Sequence, residues 1–496
     1  MPDVHDLGLI IDSHVPLIVI QSQEEPRALD TITRLAINRQ LPLYGWTITD
    51  GLRRLGFGLE LEQDDKLTDP DKLLEHIKKL RTPSIFALCD FHPYLVDEPR
   101  RVRLLKDIAL ASHQNRHTLI LLSHALTIPP ELRHYSARFQ LQLPSSEQIM
   151  ALVREEASAW SRGNQGAKVK TDNRTLQQLV KNLAGLPLAD VRRLIRGAIY
   201  DDGAINEDDI PEVNKAKFEL MDMEGVLSFE YDTARFSDVG GLANLKAWLN
   251  QRRAAFLDLP AGSQPRLEPP KGILLLGVQG GGKSLAAKAV AGLWKLPLLR
   301  MDMGALYNKF FGETERNMRE ALRLADLMAP CVLWIDEIEK GLGQDQTDQG
   351  VSKRVLGTLL TWMAERKHPV FIVATANNIK QLPPELMRKG RLDEIFFVDL
   401  PDAATRADIF RIHLAKRNLS PEQFQLEDLV AASEGFSGAE IEQGVVSALY
   451  LAAAQGQALT SGHLNEALSR TQPLSVVMAE EMHALRAWAS GRTVLA

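Results

Sequence analysis

Gly277-Val278-Gln279-Gly280-Gly281-Gly282-Lys283-Ser284 decides how this chain folds. The apolar run Ile273-Leu274-Leu275-Leu276 comes before it, and the helix-forming Leu285-Ala286-Ala287-Lys288-Ala289-Val290 follows. Strand, glycine-rich loop and helix make the context in which a G-x-x-x-x-G-K-[ST] pattern carries meaning. Glycines let consecutive backbone N–H groups curl round phosphate oxygens, and the helix start adds the positive end of its dipole. Lys283 then supplies a compact charge to the β- and γ-phosphates, and the Ser284 hydroxyl supplies a ligand for Mg²⁺. A glycine-rich turn beside a surface lysine would leave both flanking segments unexplained. The stretch therefore predicts a nucleoside triphosphate site holding ATP and Mg²⁺.

Working outward, apolar runs alternate with helical periodicity as in a nucleotide-binding α/β domain. Strands are expected at Pro297–Asp302, Cys331–Glu337, Val370–Asn377 and Glu394–Asp399, with helices over Thr314–Met328 and Ser352–Glu365. From Pro401 the periodicity turns helical to about position 470.

The first half repeats this order. Leu17–Ile20, Ile85–Asp90 and Leu119–Ser123 read as strands, and Ile128-Pro129-Pro130-Glu131-Leu132 echoes Leu382-Pro383-Pro384-Glu385-Leu386. Gly185 and Tyr200 each precede a counterpart, Gly435 and Tyr450, by 250 positions. The offsets run from 246 (Asp90 to Asp336) to 257 (Pro144 to Pro401), an ordered series that points to internal duplication. The copies are unequal. Where the first half needs a phosphate loop it has Gln21-Ser22-Gln23-Glu24-Glu25-Pro26-Arg27, whose two carboxylates repel phosphate.

Length and composition bound the rest. A chain of 496 residues implies about three domains. No apolar run reaches the ~18 residues of a membrane span, and the first residues lack the basic-then-apolar pattern of a secretory signal. Cys89 and Cys331 lie in apolar runs and read as reduced core residues, so a cytoplasmic address is expected, or the plastid stroma if the source is an alga. The net charge of −6 offers no general footprint for nucleic acid. H-E-x-x-H is absent, and the 12 histidines lack metal-binding spacing along the chain.

Asp336-Glu337 ends a buried strand, where such sheets present functional groups. Asp336 is placed to hold Mg²⁺ and Glu337 to polarise an attacking water, which Asn377 on the adjacent strand could orient. Arg388 and Arg391 carry guanidinium groups able to meet developing phosphate charge, although their spacing alone fits surface salt-bridge partners equally.

These segments, with Phe236-Ser237-Asp238-Val239-Gly240-Gly241-Leu242, Ala374-Thr375-Ala376-Asn377 and Gly435-Phe436-Ser437-Gly438-Ala439, resemble the AAA ATPases in the narrow sense. That group includes katanin, the proteasomal ATPases and the N-ethylmaleimide-sensitive fusion ATPase. The likeness covers about Phe236 to Arg470. The whole chain, with its degenerate first half and its tail after Pro473-Leu474-Ser475, also resembles an uncharacterised AAA protein of cyanobacteria and algal plastids. The resemblance implies that Arg388 and Arg391 reach the nucleotide of a neighbouring subunit in a homo-hexameric ring. It implies that Asp238, Val239 and Gly240 sit near adenine and that Ala439 takes a lid position. Lys309, Phe310, Phe311 and Gly312 would line a central pore and grip polypeptide, aromatics giving contact area tolerant of sequence. One departure is Val278-Gln279-Gly280-Gly281, where the family has Pro-Pro-Gly-Thr.

The expected fold class is α/β: a P-loop AAA+ module with helical lid, preceded by a degenerate AAA-like α/β and helical domain. The expected boundaries are a degenerate domain at 1–145, a helical subdomain at 146–206, a linker at 207–232, the ATPase core at 233–400, the lid at 401–470 and a helical tail at 471–496. The expected activity is ATP hydrolysis by a ring motor that remodels or threads a protein substrate. A nucleic-acid motor, kept open by Arg100-Arg101-Val102-Arg103, and a nucleotide-gated scaffold are the alternatives.

Overall fold

In the computed structural model the described residues are 2–56, 61–64, 67–221, 227–231, 233, 236–257, 268–304, 313–342, 349–388 and 390–496. They form two units, residues 1–145 with 187–189, and the remainder from 146 to 496.

The first unit holds a seven-stranded sheet: β1 Leu17–Gln21, β2 Leu43–Thr47, β3 Gly51–Leu55, β4 Leu61–Asp64, β5 Ile85–Cys89, β6 Thr118–Ser123 and β7 Ser136–Phe139. Their order is β4-β3-β2-β5-β6-β1-β7. The five strands from β2 to β7 in that order pair parallel, and the central three, β5, β6 and β1, are near-continuous apolar runs buried along almost their whole length.

The second unit begins with helices Ser146–Gly163, Asn173–Leu183 and Leu188–Asp202 and a small parallel ribbon, β8 Lys170–Thr171 with β9 Ala204–Ile205. Its main sheet comprises β10 Leu227–Glu230, β11 Gly272–Gly277, β12 Leu298–Asp302, β13 Cys331–Asp336, β14 Val370–Ala376, β15 Glu394–Val398 and β16 Val494–Leu495. The order is β10-β12-β13-β14-β11-β15-β16. Its central run, β12-β13-β14-β11-β15, repeats β2-β5-β6-β1-β7 of the first unit strand for strand. Even the short 3₁₀ helices Pro130–Tyr135 and Pro384–Met387 recur after the equivalent strands. Helices at Ala403–Ala415, Leu426–Ala432, Gly438–Ala454 and Ser461–Ser469 form the lid, closed round Phe410, Leu414, Leu429, Ile441 and Leu464.

Two expectations change. The charged stretch 207–232 carries a helix, Asp209–Leu220, and the antiparallel edge strand β10. That helix buries Ile210, Val213, Asn214 and Lys217, so its inner stripe ends in a lysine and looks polar on paper. Lys217 Nζ donates to the carbonyls of Asn182 and Ala184, 2.7 Å each, capping the end of the helix Asn173–Leu183. The tail does not end as a helix either. After Ala479–Ala489 it extends as β16 beside β15, with Phe396 opposite Val494 and Phe397 opposite Leu495.

Pairing the repeats by structure moves one assignment by a residue. Asp90 directly follows β5 with φ +49°, and Glu337 directly follows β13 with φ +46°. Asp90 therefore stands where the second unit has Glu337, not Asp336. The first unit also joins β1 to the helix Glu25–Asn38 through three residues, 22–24, whereas five, 278–282, join β11 to the helix Lys283–Trp294. Three residues cannot wrap a phosphate, and Glu24 is instead paired with Arg27 at 2.9 Å.

Candidate active site

A cavity of about 780 Å³ opens at the carboxyl ends of β11, β13 and β14, the edge where open α/β sheets place ligands. The buried strand β11 delivers the loop, and β15 holds it close. A Cβ on Gly277 would lie 2.0 Å from the Val398 carbonyl oxygen, so only glycine fits. Gly282, at φ +92°, adopts a left-handed turn that starts the helix Lys283–Trp294.

Lys283 is buried, and its Nζ donates to the carbonyls of Gly277 at 2.9 Å and Val278 at 2.8 Å. Gln279, Gly280, Gly281, Gly282, Lys283 and the exposed Ser284 line the cavity, as do Asp238, Val239, Gly240 and Ala439. Gly277 and Val278 stand behind it and contribute the carbonyls that hold Lys283.

Burial pushes the Lys283 pKa down to about 8, against an upward pull from Glu339, Asp336 and Glu337. A bound polyphosphate favours the ammonium, so above about pH 8 binding must take up a proton. ATP affinity should then fall by up to about tenfold per pH unit above about pH 8, and this dependence should vanish below it. Calorimetry near pH 9 in buffers of different ionisation heat measures the uptake, and a buffer-independent heat would exclude it.

The acidic side of the cavity is a linked set. Asp336 Oδ1 accepts from Thr375 Oγ1 at 2.8 Å, and Oδ2 accepts from Arg300 at 2.9 Å. Thr375 Oγ1 also accepts from the Glu337 backbone N–H at 3.0 Å. Asn377 Nδ2 donates to Glu337 Oε1 at 3.0 Å, while Glu337 Oε2 meets Lys340 at 2.5 Å. The buried Glu339 accepts from the Asn377 backbone N–H at 2.8 Å. Thus Asp336, Glu337 and Asn377 converge, held by three residues that the sequence reading assigned no role of their own: Thr375, Arg300 and Glu339. A lone threonine two positions before Asn377 in an otherwise apolar strand was the available signal, since alternate residues share a face.

The donor set suits Mg·ATP: backbone N–H groups at a helix start, a buried ammonium, and the Ser284 hydroxyl and Asp336 carboxylate on one cavity. Arg388 and Arg391 do not line it. Arg388 is exposed, and the Arg391 guanidinium donates to the Glu385 carbonyl. Lys309, Phe310, Phe311 and Gly312 lie outside the described residues.

In the first unit the equivalent edge is polar. Asp90, His92 and His124 bring ligand-type atoms within 4.8 Å of one another, and Ser123 Oγ lies 2.6 Å from His92 Nδ1. Histidine spacing along the chain could not show this grouping, because β5 and β6 bring the residues together.

A family profile of the AAA type, ATPase family associated with various cellular activities, matches residues 273–400. Profiles for the N-terminal and second domains of SpoVK-like AAA ATPases match residues 3–141 and 147–224. The chain is similar to the uncharacterized AAA domain-containing protein ycf46 of Guillardia theta, 36% identical over 499 residues, covering 99% of this chain and 95% of the relative. The same-named protein of Pyropia yezoensis is 35% identical over 492 residues, covering 98% and 97%. A proteasome-activating nucleotidase of Aeropyrum pernix is 34% identical over 300 residues, covering 58% of this chain and 71% of that one.

Proposed function

The chain belongs to the AAA family of ATPases, and we propose that it is a ring-forming motor that hydrolyses ATP to remodel or thread a protein substrate. One observation carries this reading. Lys283, Asp336, Glu337 and Asn377 meet at one cavity, while Arg388 and Arg391 stand outside it. Such a site offers what binding needs, and no arginine among the described residues lines it; a neighbouring subunit would bring that guanidinium.

Lys283 and the N–H groups of the helix start would hold the β- and γ-phosphates, and Ser284 and Asp336 would hold Mg²⁺, which would supply charge neutralisation there. Glu337 accepts a proton from the attacking water, and Asn377 fixes the direction of that carboxylate. Arg388 and Arg391 then reach the γ-phosphate of the next protomer in a homo-hexamer. Lys309 to Gly312 would line the pore and pull on polypeptide.

The name of the Aeropyrum pernix relative ties that protein to the proteasome, in keeping with a protein substrate. The basic stretch that kept nucleic acid open is spent on carboxylates: Arg100 pairs with Glu75, Arg101 with Asp71 and Arg103 with Asp107. None of the described helices is long and apolar enough to cross a membrane.

ATP turnover with and without an unfolded protein tests this reading, with single-stranded DNA as the second arm. Protein should accelerate turnover and DNA should not, and Phe310→Ala with Phe311→Ala should abolish the acceleration while keeping the basal rate. Acceleration by DNA alone would favour a nucleic-acid motor, and acceleration by neither would favour a nucleotide-gated scaffold.

A further inference from the structure

The first unit has no phosphate loop, yet it keeps the two strand ends that carry Glu337 and Asn377 in the second. Asp90 stands where the second unit has Glu337, so His92, two positions on, stands where it has Glu339. Cys89 pairs with Leu122 across β5 and β6, and Ile335 pairs with Ala374 one step earlier across β13 and β14. Leu122 therefore matches Thr375, and His124, two positions further, matches Asn377. In the second unit these three positions touch. Asn377 donates to Glu337 from its side chain and to Glu339 from its backbone N–H. The fold thus draws the three positions together, and the first unit fills all of them with metal-ligating residue types.

The distances fit that chemistry. Asp90 Oδ1 lies 3.9 Å from His92 Nδ1 and 3.9 Å from His124 Nδ1. Ligand atoms about 2.1 Å from a tetrahedral ion stand roughly 3.4 Å apart, so closure takes about half an ångström. Asp90 and His124 are exposed and free to rotate that far, while His92 is half-buried at the start of the 3₁₀ helix His92–Leu95. The two imidazole rings already meet edge to face, 4.9 Å between centroids. Ser123 Oγ lies against His92 Nδ1, and when an ion takes that nitrogen the hydroxyl can turn to the Ala125 carbonyl, 3.4 Å away. The Asp90 backbone N–H donates to the Leu122 carbonyl at 2.9 Å, which fixes the carboxylate's base on the sheet.

We propose that Asp90, His92 and His124 bind a divalent transition-metal ion, with Zn²⁺ the type case, at the edge that in the second unit carries Glu337 and Asn377. Two imidazoles and one carboxylate suit Zn²⁺ and its neighbours, whereas Mg²⁺ and Ca²⁺ take oxygen ligands. Three protein ligands leave a fourth position to water, so the site is open and its ion exchangeable. None of the three residues lines the nucleotide cavity, and the proposal stands apart from the nucleotide reading.

Titration of the full chain with Co²⁺, free of any histidine tag and followed by the visible absorption of the bound ion, tests this. One saturable Co²⁺ per chain is expected, displaced by Zn²⁺. Asp90→Asn keeps the shape and tolerates the left-handed backbone, and His124→Asn alters an exposed side chain, so neither threatens the fold. Each should weaken uptake at least about tenfold, since changes beyond the ligands themselves already cost about 10- to 100-fold. Asp336→Asn, on the nucleotide cavity, should leave uptake as it is. No saturable uptake up to about 1 mM overturns the proposal. So does uptake that either Asp90→Asn or His124→Asn leaves unchanged, or that Asp336→Asn abolishes.

Discussion

Glu337→Gln should bind ATP as the parent does and hydrolyse it about 10²- to 10⁴-fold more slowly, the usual contribution of a positioned general base. The side chain keeps its shape and its bond to Asn377 Nδ2 but can no longer take a proton. Binding should survive because Lys283 is anchored by the carbonyls of Gly277 and Val278, not by Glu337. The exposed ion pair with Lys340 is no obstacle to this role, because solvent screens such pairs. The backbone supports the assignment: φ +46° at a glutamate is uncommon, and left-handed non-glycine residues gather at functional sites.

Thr375→Val separates positioning from chemistry. The hydroxyl bridges Asp336 and the Glu337 backbone, so its loss should lower the maximal rate and raise the Mg²⁺ concentration needed for half-maximal activity. Thr375→Ser, which retains the hydroxyl, should restore both. Single-turnover hydrolysis across a Mg²⁺ titration measures these effects. Parent-rate turnover by Glu337→Gln would remove Glu337 from the mechanism.

What could be read beforehand followed from burial. Ile273–Leu276, Cys331–Ile335 and Val370–Ala374 are covered on both faces and so stand out as apolar runs. Gly51-Leu52-Arg53-Arg54-Leu55 pairs antiparallel near a sheet edge and offers no such run. The helix Asp209–Leu220 was hidden because Lys217, inside its buried stripe, satisfies two carbonyls brought to it by the fold. The phosphate loop, Asp336, Glu337 and Asn377 were legible because their chemistry is local to strand ends. Thr375, Arg300 and Glu339 were not, since each acts through a partner some 36 to 39 positions away. The shift of Asp90 onto the Glu337 position has the same origin: a register error of one is invisible until backbone conformation and pairing are known.

Arg388→Ala should bind ATP normally as an isolated chain yet lose about 10³- to 10⁵-fold in hydrolysis, the worth of an arginine finger. The side chain is exposed and absent from the wall of its own chain's nucleotide cavity. It directly follows the 3₁₀ helix Pro384–Met387, in the connection from β14 to β15. Within one chain, then, Lys283, Glu337 and Asn377 meet on the cavity, and no arginine among the described residues lines it. Mixing resolves where the missing charge comes from. Lys283→Ala chains lose the compact charge on the phosphates and should not hold ATP, but they keep their own Arg388. Added in excess to Arg388→Ala chains, they should restore part of the activity, because each competent nucleotide site then meets an intact finger from its neighbour. Such complementation requires a heterologous interface repeated in one rotational sense, which closes into a ring. If the two variants co-assemble and mixing restores nothing, the finger does not act across the interface. The ring mechanism then loses the residue that couples one subunit's turnover to the next.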